Sequence, residues 1–248
     1  MPRPIAATIH MGALRHNLQR MREAANGRTL WAVVKANAYG HGLLRAARAF
    51  EAADGLAMID LCDAQKVREQ VWKKRILLLE GFFDATDIPL LEKYDIETIV
   101  HNRHMIELLK AQAPYASLKV HIKINSGMNR LGFLPQEEEE IRAQLQTIEG
   151  VQVMGVVTHF ANAEPTYGHE RPATVSIQLN RMDKIQPMPK NLCMANSAAT
   201  LWQSDVKGDA VRAGVALYGV SPDSHYSSAD LNLSLIHISE PTRRVVIS

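Results

Sequence analysis

The chain has 248 residues, with 28 Lys+Arg against 26 Asp+Glu and a formal net charge of +2. Hydrophobic residues make up 46% and charged residues 22%, which excludes global disorder and gives no electrostatic case for nucleic acid as the main partner. Two distant cysteines, Cys62 and Cys193, fit neither a disulfide framework nor a metal-binding spacing, and a cytoplasmic protein is expected.

Met1-Pro2-Arg3-Pro4-Ile5 lacks the apolar region of a signal peptide, and no apolar run approaches the ~18 residues of a membrane span. A short strand is predicted over 5–9. A helix follows, with Leu14, Leu18 and Met21 on one face. Eight short apolar runs then predict strands at 30–34, 55–58, 76–79, 97–100, 118–124, 151–158, 191–194 and 209–211. Amphipathic stretches separate most of them, at 61–71, 105–113, 137–148 and 175–185 among others. Continuous apolar runs suit strands buried on both faces of a parallel sheet. Eight βα units in this length suggest an α/β fold of the closed (β/α)8 barrel type, with a doubly wound open sheet as the alternative. The acidic run Glu137–Glu140 reads as a solvated helix start, where carboxylates suit the positive end of the dipole.

In a barrel, chemistry sits where strands end. Lys35 follows the first run, in Val33-Val34-Lys35-Ala36-Asn37-Ala38-Tyr39-Gly40-His41-Gly42. A partly desolvated lysine there is either a nucleophilic amine able to capture an aldehyde or one that snorkels to solvent. Gly40 and Gly42 also suit an ordinary loop. The fifth run carries Lys123, expected to point into the barrel, and is followed by Asn125-Ser126-Gly127-Met128-Asn129-Arg130-Leu131-Gly132. Arg130 either grips a carboxylate or makes a surface ion pair. His159 follows the sixth run, as a stacking or acid–base group or as a structural residue. Asn196-Ser197-Ala198-Ala199-Thr200 opens a helix whose N–H groups suit phosphate, or in which Ser197 is a simple N-cap. Arg212, Gly214 and Val215 follow the last run, and Arg212 meets an anion or ring nitrogen, or a salt-bridge partner. His101-Asn102-Arg103-His104 reads as surface loop rather than a zinc site.

Taken in this order, these motifs resemble the bacterial alanine racemase family, together with Leu77-Leu78-Leu79-Glu80-Gly81-Phe82-Phe83, Thr158-His159-Phe160-Ala161 and Val211-Arg212-Ala213-Gly214. Asn125-Ser126 stands where many members have Asp-Thr and is similar to the catabolic variant. The resemblance runs from about Ile5 to Pro222. It implies a barrel that binds pyridoxal 5'-phosphate (PLP), a β-rich C-terminal domain after it, and a head-to-tail homodimer that interconverts L- and D-alanine through a Schiff base. It implies that Lys35 carries the cofactor and serves as one of two bases. Tyr39, Asn196, Ser197 and the backbone at Gly214 and Val215 would hold the cofactor's phosphate end. His159 would flank the ring, Arg212 would face its nitrogen, and Arg130 would position the substrate carboxylate. Lys123 matches a lysine carbamylated in many members. The second base would be a tyrosine of the partner's C-terminal domain.

Residues 1–222 are accordingly expected to form the barrel. Residues 223–248 are expected to be a cut-off linker and a foreign tail, since Ile236–Arg244 reads like translated adapter DNA. A chain of this kind would supply one base, bind PLP weakly if at all, and racemise alanine poorly or not at all. A non-catalytic single-domain PLP carrier and a barrel amino-acid decarboxylase are the competing readings.

Overall fold

The computed structural model describes residues 5–164, 174–223 and 231–239. Eight parallel strands close into a barrel: β2 (Thr29–Val33), β3 (Gly55–Met58), β4 (Arg75–Leu78), β5 (Glu97–Val100), β6 (Leu118–Lys123), β7 (Val151–Val157), β8 (Leu192–Ala195) and β9 (Ala210–Ala213). β9 returns to β2 with Trp31 beside Arg212, which closes the cylinder and excludes the open-sheet alternative. All eight predicted strands are present. The last reaches further than expected: Arg212 lies within β9, not beyond it, because its pairing with β2 continues through Ala213.

Helices pack on the outside. They are α1 (Met11–Ala25), the single turn α2 (Lys35–Tyr39), α3 (Leu43–Ala49), α4 (Leu61–Gln70), α5 (Ile88–Lys93), α6 (Arg103–Gln112), α7 (Glu138–Gln146), α8 (Val175–Met182) and α9 (Ser197–Trp202). Sequence-local caps start several of them: Asp60, Asn102, Thr174 and Asn196 accept first-turn N–H groups of α4, α6, α8 and α9. The outward strand residues Leu30, Leu56, Ile76, Val120 and Ile122 join Leu14, Leu18 and Met21 of α1 in the main core. Glu137 and Glu140 bind Arg103, but Glu138 is buried and paired with Arg142, so the acidic helix start is less solvated than the sequence suggests.

The barrel interior is a second, smaller core of Trp31, Val33, Ala57, Leu77, Ile99, Val157, Cys193 and Ala210. Small residues are needed here because bulky ones face them. A Cβ on Gly55 would lie 2.3 Å from the Trp31 ring. At the N-terminal floor, Arg75 donates to Glu97 (2.5 and 2.8 Å) and stacks over Trp31, while His121 Nε2 meets Glu97 at 2.7 Å. These paired groups push the Glu97 carboxyl down to about 2 against its burial.

β1 (Ile5–Ile9) pairs antiparallel with β10 (Leu235–Ser239) outside the barrel. Asn17 of α1 donates to the carbonyls of Leu217 and Asn232 and accepts from the Asn232 N–H. Ser234 is fully buried and its hydroxyl meets His41 Nε2 at 2.8 Å. Residues 231–235 therefore dock against the barrel through specific hydrogen bonds. The remainder of the expected tail, 240–248, and the polar stretch 224–230 lie outside the described residues.

Candidate active site

At the C-terminal mouth of the barrel lies a cavity of about 250 Å³. Ten residues singled out from the sequence line it: Lys35, Tyr39, Lys123, Arg130, His159, Asn196, Ser197, Arg212, Gly214 and Val215. Sequence reasoning missed Glu80, Glu164 and the apolar wall of Val33, Ile59 and Leu79.

Lys35 opens α2, whose next residues Ala36, Asn37 and Ala38 have left-handed φ,ψ near 52–56° and 43–56°. Tyr39 continues at φ 52°. Four consecutive left-handed residues with side chains are costly, roughly 1–2 kcal/mol each for ordinary L-residues. Asn37 helps to hold the turn, since its Oδ1 accepts the Leu43 N–H at 2.8 Å. The glycine-rich loop expected there is thus a wound and strained turn that sets Lys35 and Tyr39 on one rim.

Tyr218, unmarked by any spacing in the sequence, supports that rim. Its ring packs on Tyr39, with centroids 4.7 Å apart, and its hydroxyl donates to the Val33 carbonyl at 2.9 Å. Asn196, rather than Ser197, caps α9, its Oδ1 accepting from the Ala199 N–H. The Ser197 hydroxyl instead accepts the Gly214 N–H at 2.8 Å. A Cβ on Gly214 would fall 2.8 Å from the Tyr39 hydroxyl, so glycine keeps open a small polar cradle between Tyr39 and Ser197.

Arg212 is buried at the base of the cavity. Its Nη1 donates to the Cys193 carbonyl (2.8 Å) and Sγ (3.0 Å), and its Nη2 to the Thr158 carbonyl (2.6 Å) and His159 Nδ1 (3.1 Å). With His159 Nδ1 accepting, its proton sits on Nε2. Burial, then the charges of Arg212, Lys123, Arg130 and Lys35, hold His159 neutral far below its ordinary pKa. Lys123 is buried under the same cations. Burial first, then Arg212 and Arg130, lower its pKa to about 7. The side chains of Lys35, Lys123 and Arg130 form no hydrogen bond or ion pair among the described residues. His101 bonds the Glu80 carbonyl at 3.1 Å, and no cluster of three metal-ligating side chains occurs among the described residues. No helix there is long and apolar enough to cross a membrane.

Four basic side chains and two carboxylates surround a small, partly apolar cavity at the mouth of a (β/α)8 barrel, a lining whose charge suits a compact anion. Residues 9–222 match the family described as "Alanine racemase, N-terminal domain". The chain belongs to that family. It is 46% identical over 227 residues to the alanine racemase of Delftia acidovorans, covering 90% of this chain and 61% of that one. It is 44% identical to a catabolic alanine racemase of Klebsiella aerogenes, covering 91% and 62%. The biosynthetic alanine racemase of Pseudomonas aeruginosa superimposes with a TM-score of 0.87 at 34% identity, over 94% of this chain and 65% of that one. The chain thus spans about three fifths of the length of the curated relatives it matches.

Proposed function

We propose that this chain is the cofactor-binding barrel of an alanine racemase. The observation that carries the reading is the convergence of Lys35, His159, Arg212 and the Tyr39–Ser197–Gly214 cradle on one cavity. The residues fit PLP. An uncommitted lysine amine suits its aldehyde, the glycine-opened cradle suits its phosphate, and the cationic lining suits its negative charge. When bound, PLP would supply an electron sink that acidifies the Cα–H of an amino acid joined to it.

The side chains then divide the work. Lys35 would hold the cofactor and move a proton at the substrate Cα from one face. Tyr39, Ser197 and the backbone N–H groups at Gly214 and Val215 would bind the phosphate, with Asn196 shaping that end as the helix cap. His159 would flank the ring as a neutral imidazole. Arg212 has four of its five N–H groups committed within the barrel, which leaves Nε–H for the ring nitrogen. A guanidinium does not release its proton, so the ring nitrogen would stay unprotonated and side reactions that need a stronger sink would be disfavoured. Arg130, free of partners among the described residues, would bind the substrate carboxylate. Lys123 would be carbamylated, its neutral amine adding to CO2 with loss of a proton, which turns a crowded cation into an anion beside Arg130.

Alanine is the proposed substrate, a homodimer the proposed assembly and the cytoplasm the proposed location. Racemisation needs a second base on the opposite face, and Lys35 is the base these residues supply. The 248-residue chain is therefore expected to form D-alanine poorly by itself, and robust D-alanine formation by it would refute this. Borohydride treatment of the PLP-incubated chain should fix the cofactor on the Lys35 peptide, and Lys35→Ala should lose both the adduct and the visible absorbance. Persistence of that absorbance in Lys35→Ala would overturn the assignment.

A further inference from the structure

We propose that Cys193 is a positioning residue for Arg212. This rests on the reading of Arg212 as the group that meets the cofactor ring. Cys193 points into the barrel interior with Trp31, Val157 and Ala210, is 3% exposed, and has no part in the chemistry assigned above. Both Nη1 protons of Arg212 go to this one residue, to its carbonyl at 2.8 Å and its sulfur at 3.0 Å. The β8–β9 pairing slips between Cys193 and Ala195, and Arg212 makes these bonds beside that irregularity. Thr158 and His159 take the two Nη2 protons.

The sulfur decides what Arg212 can present to the cavity. With four terminal N–H groups held, the guanidinium cannot rotate about its Cζ without breaking bonds in a desolvated interior, and one N–H remains for a ligand. Sulfur is a weak acceptor. It completes the fixation without the counter-charge a carboxylate would bring, and no carboxylate bonds Arg212 among the described residues. The guanidinium thereby keeps its charge for an anionic or electron-rich ligand while losing its orientational freedom.

Two measurements test this. In a Cys62→Ser background, Cys193 is the one thiol, and its S–H stretching band reports the bond without any cofactor. The band should shift on Arg212→Met, and an unchanged band would overturn the proposal. The second measurement is PLP affinity, with thermal midpoints as a folding control. Cys193→Ala should weaken binding about 3- to 10-fold, as loss of one hydrogen bond would. Cys193→Ser, which restores an acceptor, should stay within about 3-fold of the parent. In the Arg212→Met background the Ala and Ser variants should bind alike. Equal binding by Cys193→Ala and the parent, or an alanine effect that survives in Arg212→Met, would reduce Cys193 to packing and overturn the proposal. Failure of the parent chain to bind PLP would count against the cofactor reading, and the S–H band would then decide the role of Cys193.

Discussion

Lys123→Met is the most informative single substitution for the mouth of the barrel. A fall in the lysine pKa from 10.5 to about 7 means that the folded site opposes its charge. At 1.36 kcal/mol per pH unit this amounts to about 5 kcal/mol, an upper figure because the site can relax. The sign follows from proton binding. Between pH 7 and 10.5 the unfolded chain holds the proton and the folded chain does not, so stability rises with pH across that window. Below pH 7 both states are protonated and the full penalty is present. Methionine has a similar length and no charge, so Lys123→Met should be several kcal/mol more stable than the parent at pH 6, with the difference shrinking towards pH 10. Urea unfolding at a series of pH values measures it. Bicarbonate should narrow the gap at neutral pH if the lysine is carbamylated, since the resulting anion pairs with Arg130 rather than opposing it. A variant less stable than the parent at pH 6, or a gap independent of pH, would refute the reasoning.

Other outcomes follow from the same geometry. Glu97→Gln should cost about 3 kcal/mol near neutral pH, from the depression of the carboxyl from 4.5 to about 2. Because that pKa is lowered, the stabilisation is full above pH 4.5 and disappears as pH falls towards 2, so parent and variant unfolding curves should converge in acid; a constant offset would contradict this. Gly214→Ala would bring a Cβ within 2.8 Å of the Tyr39 hydroxyl. It should weaken PLP binding about 10-fold, and undiminished affinity would remove the cradle from the phosphate site.

The barrel was legible because its strands are buried on both faces and read as unbroken apolar runs between capped helices. The cavity-lining residues were legible because strand ends are where a barrel exposes side chains. Arg212 was placed past its strand for a definite reason. A guanidinium inside a barrel strand contradicts the apolar pattern, and its pairing beside Trp31 emerges only when β9 closes on β2. The left-handed turn after Lys35 was hidden because Ala36, Ala38 and Tyr39 are residue types that ordinarily avoid it. Tyr218 supports the rim from a segment whose sequence carries no periodic signal. The floor cluster did leave a trace. Arg75, Glu97 and His121 occupy the same inward parity as Leu77, Ile99 and Lys123, so alternate-residue reading of each strand would have placed them inside the cylinder.

The two ends of this cylinder handle charge in different ways. At the floor, Glu97 has both Arg75 and His121 within hydrogen-bond distance, and burial is balanced by pairing. At the mouth, Lys35, Lys123 and Arg130 have no such partner among the described residues, His159 is kept neutral, and the turn carrying Lys35 is wound against its preferred hand. The same fold thus shows that it can satisfy buried charge with its own side chains. At the mouth, Lys123 is the buried cation without a carboxylate partner among the described residues, while Arg130 is exposed and Lys35 half-buried, so the charge crowding falls on Lys123, where carbamylation or an anionic ligand would relieve it.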